Sequence, residues 1–216
     1  MMQIYTRLRF LAPLLAVVLS LGVAAPAAAA TTAKPALSTA VLAGGCFWGM
    51  EEVFESLAGV TNVVSGFAGG SAQTAQYETV STGTTGHAES VQITFDPKRI
   101  SYQQLLDVYF TVAHDPTQLN RQGPDEGTQY RSAIFYADAA QRRAALDYIN
   151  LLTAKKTFSA PIVTQVVPLH DFYAAEAYHQ HYARLHPDDP YIVYNDAPKI
   201  VALKKLFPNL VAKSLT

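Results

Sequence analysis

The chain has one cysteine, and its neighbours give that sulfur a nucleophile's setting. Gly44-Gly45-Cys46-Phe47-Trp48-Gly49 also holds the only tryptophan. Ala40 to Ala43 reads as the end of a buried strand. Val53, Phe54 and Leu57 then recur at helical spacing, and Gly59 is a stop signal. Cys46 is therefore placed where a strand turns through two glycines into a helix. Free backbone N–H groups and the positive end of the helix dipole gather there and favour thiolate over thiol. Phe47 and Trp48 supply an apolar wall. The competing reading, an inert buried cysteine, is weakened by the helix-start position and the flanking glycines.

The elements that must carry this residue follow from periodicity. Leu37–Leu42 reads as a strand, Phe47–Leu57 as a helix and Val60–Phe67 as a second strand. Ser71–His87, rich in Gly, Ser and Thr, reads as a long loop of the kind that tends to be functional. Glu89–Phe95 alternates, so it is a half-buried strand. Ser101 and Gln104 resemble a capping box opening a helix from Tyr102 to about Val112. A second long loop spans His114–Tyr130. Ser132–Tyr136 is a short strand, and Asp138 caps a helix to about Lys155 with Ala145, Tyr148, Ile149 and Leu152 on one face. Ile162–Val167 reads as a strand, Tyr173–Leu185 as an aromatic-rich helix, and Pro187 onward as an irregular tail with helical potential at Lys199–Leu206. Two strands follow one another without an intervening helix. This predicts an α+β fold: a two-layer α/β sandwich with a mixed sheet, a ferredoxin-like core and helices mostly on one face.

Arg7 and Arg9, an apolar run from Phe10 to Ala24 and small residues through Ala30 read as a secretory signal peptide over residues 1–30. A membrane anchor is the alternative, disfavoured by Pro13, Pro26 and the alanine run. The remainder, roughly 185 residues (31–216), suits one domain. Sixteen basic and seventeen acidic residues leave a net charge of −1, which gives no basis for nucleic acid as a partner. One cysteine in an exported chain cannot form an internal disulfide, so a free thiol there is kept for its reactivity.

Gly45-Cys46-Phe47-Trp48-Gly49 with Glu52, Gly83-Thr84-Thr85-Gly86-His87-Ala88-Glu89, Asp115-Pro116-Thr117-Gln118-Leu119-Asn120-Arg121-Gln122-Gly123 with Asp125, and Gly127-Thr128-Gln129-Tyr130-Arg131-Ser132 occur in this order. Together with Glu176-Ala177-Tyr178-His179-Gln180 they resemble the A-type peptide methionine sulfoxide reductases over about Ala40 to His186. The resemblance implies reduction of methionine-S-sulfoxide, free or in proteins, as repair of oxidative damage, without cofactor or metal. It makes Cys46 the nucleophile and Glu89 the acid that protonates the departing oxygen. A carboxyl enclosed by aromatic rings is desolvated, which raises its pKa and keeps a proton to donate. The resemblance also makes Tyr77 and Tyr130 donors to the sulfoxide oxygen, places Asp125 in the site acting through water, and has Phe47 and Trp48 cup the S-methyl group.

Two departures from the family pattern stand out. Ser81 stands where some relatives have Cys, and the tail from Pro187 to Thr216 has no sulfur. A sulfenic acid on Cys46 would then need an outside thiol, from a thioredoxin-like protein or a small molecule. Phe67 stands where the family more often has Tyr, which removes a structural hydrogen bond. The chain is expected to act as a monomer. His179 and His181, two apart, diverge on a helix and do not share a metal. A cysteine hydrolase using His87 or His170 as base is one alternative. An exported peptide-binding module is another, and it would keep its function without the thiol.

Overall fold

The structure is a computed structural model and describes residues 1–3 and 36–213. The arginines, apolar run and small residues behind the signal-peptide reading, Arg7 to Ala30, lie outside the described residues. Strand β1 (Ser38–Ala43) leads into helix α1 (Phe47–Glu55), then β2 (Val60–Ala68), β3 (Ala88–Phe95), helix α3 (Tyr102–Val108) and β6 (Ala133–Tyr136). A four-residue helix α2 (Tyr77–Val80) lies between β2 and β3, and a two-residue ladder, β4 (Arg121–Gln122) with β5 (Asp125–Glu126), lies before β6. In space β3 lies between β1 and β2, and β6 flanks β1. The order β6-β1-β3-β2 with its two crossover helices is the ferredoxin-like βαββαβ arrangement. Strands β7 (Gln165–Pro168) and β8 (Phe172–Ala174) extend the sheet at its two edges. β7 pairs parallel with β6 and every other pair in this sheet is antiparallel, so the sheet is mixed.

Side-chain alternation decides what faces what. Ala40 and Leu42 of β1, Val63 and Phe67 of β2, and Val91, Ile93 and Phe95 of β3 share one core with α1, α3 and helix α4 (Ala139–Ala154). Val41, Ala43, Ala68, Ala88, Ala133 and Phe135 form a smaller cluster on the other face. Glu89 has the parity of Val91 and Ile93, so it points to the helical face, where α1 begins. The capping box at α3 is complete: Gln104 N donates to Ser101 Oγ (3.2 Å) and Ser101 N to Gln104 Oε1 (2.9 Å). Asp138 caps α4, and Ala145 and Leu152 are buried.

Both long loops carry structure. α2 lies in the first and the β4–β5 ladder in the second. The helix expected at Tyr173–Leu185 does not form: Phe172–Ala174 is edge strand β8, a 3₁₀ turn covers Ala177–His179, and only α5 (Tyr182–Leu185) is α-helical. Edge pairing with β2 outweighs helix propensity here. Gly66 leaves room for the approach, since a Cβ there would lie 2.3 Å from the Tyr173 carbonyl oxygen. The Gln180 side chain then accepts from Ser65 N and donates to Ser65 O, both at 3.0 Å, and His181 breaks the path at φ 57°. Residues 162–164 are not strand either. Val163 N bonds Pro116 O (2.8 Å), tying this stretch to the second loop, and Thr164 Oγ1 lies 2.7 Å from Ser132 Oγ, just before β6.

The C-terminal tail is more ordered than the sequence suggests. A π turn over Ile192–Asp196 leads into α6 (Ala197–Leu206), which packs on α1. Gly49 permits that contact, because a Cβ there would lie 2.0 Å from Asp196 Oδ1 and 2.9 Å from Lys199 Nζ. Both Asp196 and this stretch of α1 are buried, so the clash has little room to relax. Gly49→Ala is expected to lose about 1–3 kcal/mol of stability, read as a lower urea midpoint at unchanged m-value.

Candidate active site

Gly45, at φ +92°, bends the chain out of β1, and a Cβ there would strike the Gln122 side chain at 2.5 Å. The second loop can therefore close over Cys46, which stands at the N-cap of α1. All seven residues named from sequence line one cavity of about 340 Å³: Cys46, Phe47 and Trp48 from the start of α1, Tyr77 from α2, Glu89 from β3, Asp125 and Tyr130 from the second loop. A larger cavity, about 520 Å³, lies beside the end of α4 and is lined by Leu152, Phe158, Pro161 and Ile162 among others. No cysteine, histidine or carboxylate lines it.

Glu89 is 2 % exposed, and its Oε2 accepts the backbone N–H of Phe47 at 3.1 Å. Its side chain is thus tied to the residue next to Cys46. Burial pushes its pKa up to about 8; the Phe47 N–H pulls the other way and Asp125 adds to the rise. The carboxyl holds its proton at neutral pH.

Cys46 departs from expectation. Burial raises its pKa well above the ordinary thiol value, and Glu89, Asp196 and Asp125 add to that, opposed by the Trp48 N–H. The helix start lowers the thiol pKa, but desolvation in this pocket outweighs it. The resting sulfur carries a proton instead of the predicted negative charge. Tyr77 and Tyr130 are also pushed upward, chiefly by burial, so both remain neutral O–H donors.

Two further residues of this cavity have no signal in the sequence pattern. Asp189 and Tyr191, from the tail read as irregular, line the same cavity. The Tyr191 hydroxyl donates to Asp125 Oδ2 at 2.5 Å, across 66 positions. Trp48 is held by three aromatic partners: its Nε1 donates to His179 Nδ1 (3.1 Å), its ring stacks on Tyr182 (3.9 Å, 15°), and Tyr191 meets it edge-on (5.8 Å, 85°). Phe67 is fully buried, 5.8 Å from the Phe47 ring. Ser81 caps α2, its Oγ donating to Tyr77 O at 2.8 Å.

The hydrolase alternative lacks its base. His87 is occupied by Gly70 N and Ser71 O (3.2 and 3.0 Å), His170 is exposed, and neither lines the cavity.

Solved structures share this architecture. Mxr1 from Saccharomyces cerevisiae in reduced form superposes with a TM-score of 0.66 at 34% identity, over 71% of this chain and 87% of that one. Methionine sulfoxide reductase A of Corynebacterium diphtheriae gives 0.62 at 36%, over 72% and 77%. The class is thus an α+β enzyme built around a buried cysteine. Residues 38–210 match the family model described as peptide methionine sulfoxide reductase. Peptide methionine sulfoxide reductase MsrA 2 of Mesorhizobium japonicum is 55% identical over 84% of this chain and 93% of its own length. The MsrA of Trichodesmium erythraeum is 48% identical over 82% and 99%. The chain belongs to the peptide methionine sulfoxide reductase family and is an oxidoreductase.

Proposed function

We propose that this chain reduces methionine-S-sulfoxide, free or within proteins, by transferring the sulfoxide oxygen to Cys46, and that an external thiol then restores the cysteine. The observation that carries this reading is the enclosure of a lone cysteine and a proton-bearing carboxyl in one cavity walled by aromatic rings. A sulfoxide sulfur is electrophilic and its oxygen is basic. Cys46 attacks the sulfur while Glu89 gives its proton to the oxygen. The oxygen passes to Cys46 as a sulfenic acid, methionine leaves as a thioether, and the thiol's proton is returned to Glu89 or to the sulfenic oxygen. No outside electron is needed in this half. In the second half two thiols reduce the sulfenic acid, giving one disulfide and water.

Tyr77 and Tyr130 line the pocket as neutral donors, suited to an oxygen whose negative charge grows as the S–O bond weakens. Tyr77→Phe with Tyr130→Phe is expected to lower kcat by about 10²-fold, with a smaller change in KM. Phe47 and Trp48 present the apolar wall for the S-methyl group, and Asp125, held by Tyr191, presents a carboxyl to bound water. The working unit in this reading is a monomer. A thioredoxin-like protein or small thiol is the reductant the single cysteine calls for. The arginines, apolar run and alanine-rich stretch before residue 31 support export to the periplasm. Turnover with each sulfoxide epimer tests the reading. Consumption of the S epimer alone is expected, and equal use of both would overturn the assignment.

A further inference from the structure

Glu51 and Glu55 are four apart on α1 and share one face of the helix. His181, at the turn before α5, faces the same spot. Its Nδ1 lies 2.6 Å from Glu55 Oε1 and 3.7 Å from Glu51 Oε1. One ligand atom from each residue falls within 4.8 Å of the others. Carboxylate pairs alone are common and carry nothing, but Glu51 is unusual. It is 1 % exposed, and only its Oε2 is satisfied, by Ser65 Oγ (3.1 Å) and His181 N (2.8 Å). Its Oε1 has no hydrogen-bond partner, and the His181 Nδ1 approaches the carboxylates without hydrogen-bond geometry. A buried acceptor left open beside a second carboxylate and an imidazole nitrogen is costly unless something positive joins them.

We propose that Glu51, Glu55 and His181 bind a divalent cation of the zinc class, at a site separate from the Cys46 cavity. Two carboxylate oxygens and one imidazole nitrogen suit Zn²⁺ and its first-row neighbours better than Mg²⁺ or Ca²⁺. Tetrahedral bonds of about 2.0–2.1 Å set ligand atoms about 3.4 Å apart, within reach of these positions by small side-chain shifts. A cleft of about 290 Å³, lined by Glu55, His181, Arg184 and residues 60–63 of β2, gives an entry path and room for a water as fourth ligand. Arg184 Nη1, 4.0 Å from Glu55 Oε2, is a cation at the rim on a side chain 60% exposed, free to turn outward. The ion would join α1, whose N-cap is Cys46, to the segment whose Tyr182 stacks on Trp48.

The test uses the full chain as Cys46→Ser, removing the thiol that would itself take zinc and making the readout independent of turnover. Chelator-treated protein is titrated with Zn²⁺ alone by calorimetry and followed by thermal melting. One Zn²⁺ per chain is expected, with a raised Tm. Adding Glu55→Gln is expected to weaken binding at least about ten-fold and to abolish the zinc-dependent rise in Tm. His181→Asn, whose side chain tolerates the left-handed backbone at this position, is expected to do the same. Absence of zinc binding in Cys46→Ser would overturn the proposal. So would binding that both added substitutions leave unchanged, since the ion would then sit elsewhere.

Discussion

Glu89→Gln is expected to lower turnover by about 10²–10⁴-fold at pH 7 while substrate binding stays near wild type. Glutamine has the same shape, and its amide oxygen can still accept the Phe47 N–H that Glu89 Oε2 accepts at 3.1 Å. It cannot release a proton to the departing oxygen. The penalty should be largest below about pH 8 and narrow above it, because wild-type Glu89 then loses its own proton. Stability should move the opposite way. The carboxyl titrates near 4.5 unfolded and about 8 folded. Relative to the ionised protein it contributes stability that is complete below pH 4.5 and lost as the pH rises to about 8. The amide of Glu89→Gln does not titrate, so the variant should melt above wild type at pH 8, with the difference shrinking toward pH 4.5. Equal turnover in the two proteins would remove Glu89 from the mechanism.

What sequence alone shows about this site depends on how local each cause is. The place of Cys46 at a strand-to-helix turn follows from two adjacent periodicities, and the parity of Glu89 follows from one alternating strand. The protonation of the sulfur depends on how many atoms cover it, which no local pattern records. The dipole argument therefore points the right way and loses to desolvation. Tyr191, Asp189 and Asp196 come from a stretch with a π turn and no clean period. Their meaning depends on contacts made across the chain, such as Tyr191 with Asp125 and Asp196 beneath Gly49. The segment from Tyr173 to Leu185 misleads for a related reason. Its residues suit a helix, but Gly66 and Ser65 offer an unpaired sheet edge, and a strand followed by a bridging Gln180 satisfies more backbone groups there.

The same lone sulfur gives the last prediction. Mixed with excess methionine-S-sulfoxide and no thiol, the wild-type chain is expected to release one methionine per chain and stop. Cys46 is the only cysteine, so the sulfenic acid has no internal partner with which to form a disulfide. Ser81 carries no sulfur and is engaged in capping α2. The oxidised sulfur should therefore persist, shielded by Phe47, Trp48 and the loop closed over Gly45, and be trapped by a sulfenic-acid reagent with a mass shift on the peptide containing Cys46. Added thiol should restart turnover at a rate that rises with its concentration, because recycling is bimolecular. Cys46→Ser should lose at least about 10⁴-fold in turnover, since a hydroxyl in this buried pocket is a far weaker nucleophile. More than one product per chain without reductant would mean that the oxygen leaves by a route other than Cys46.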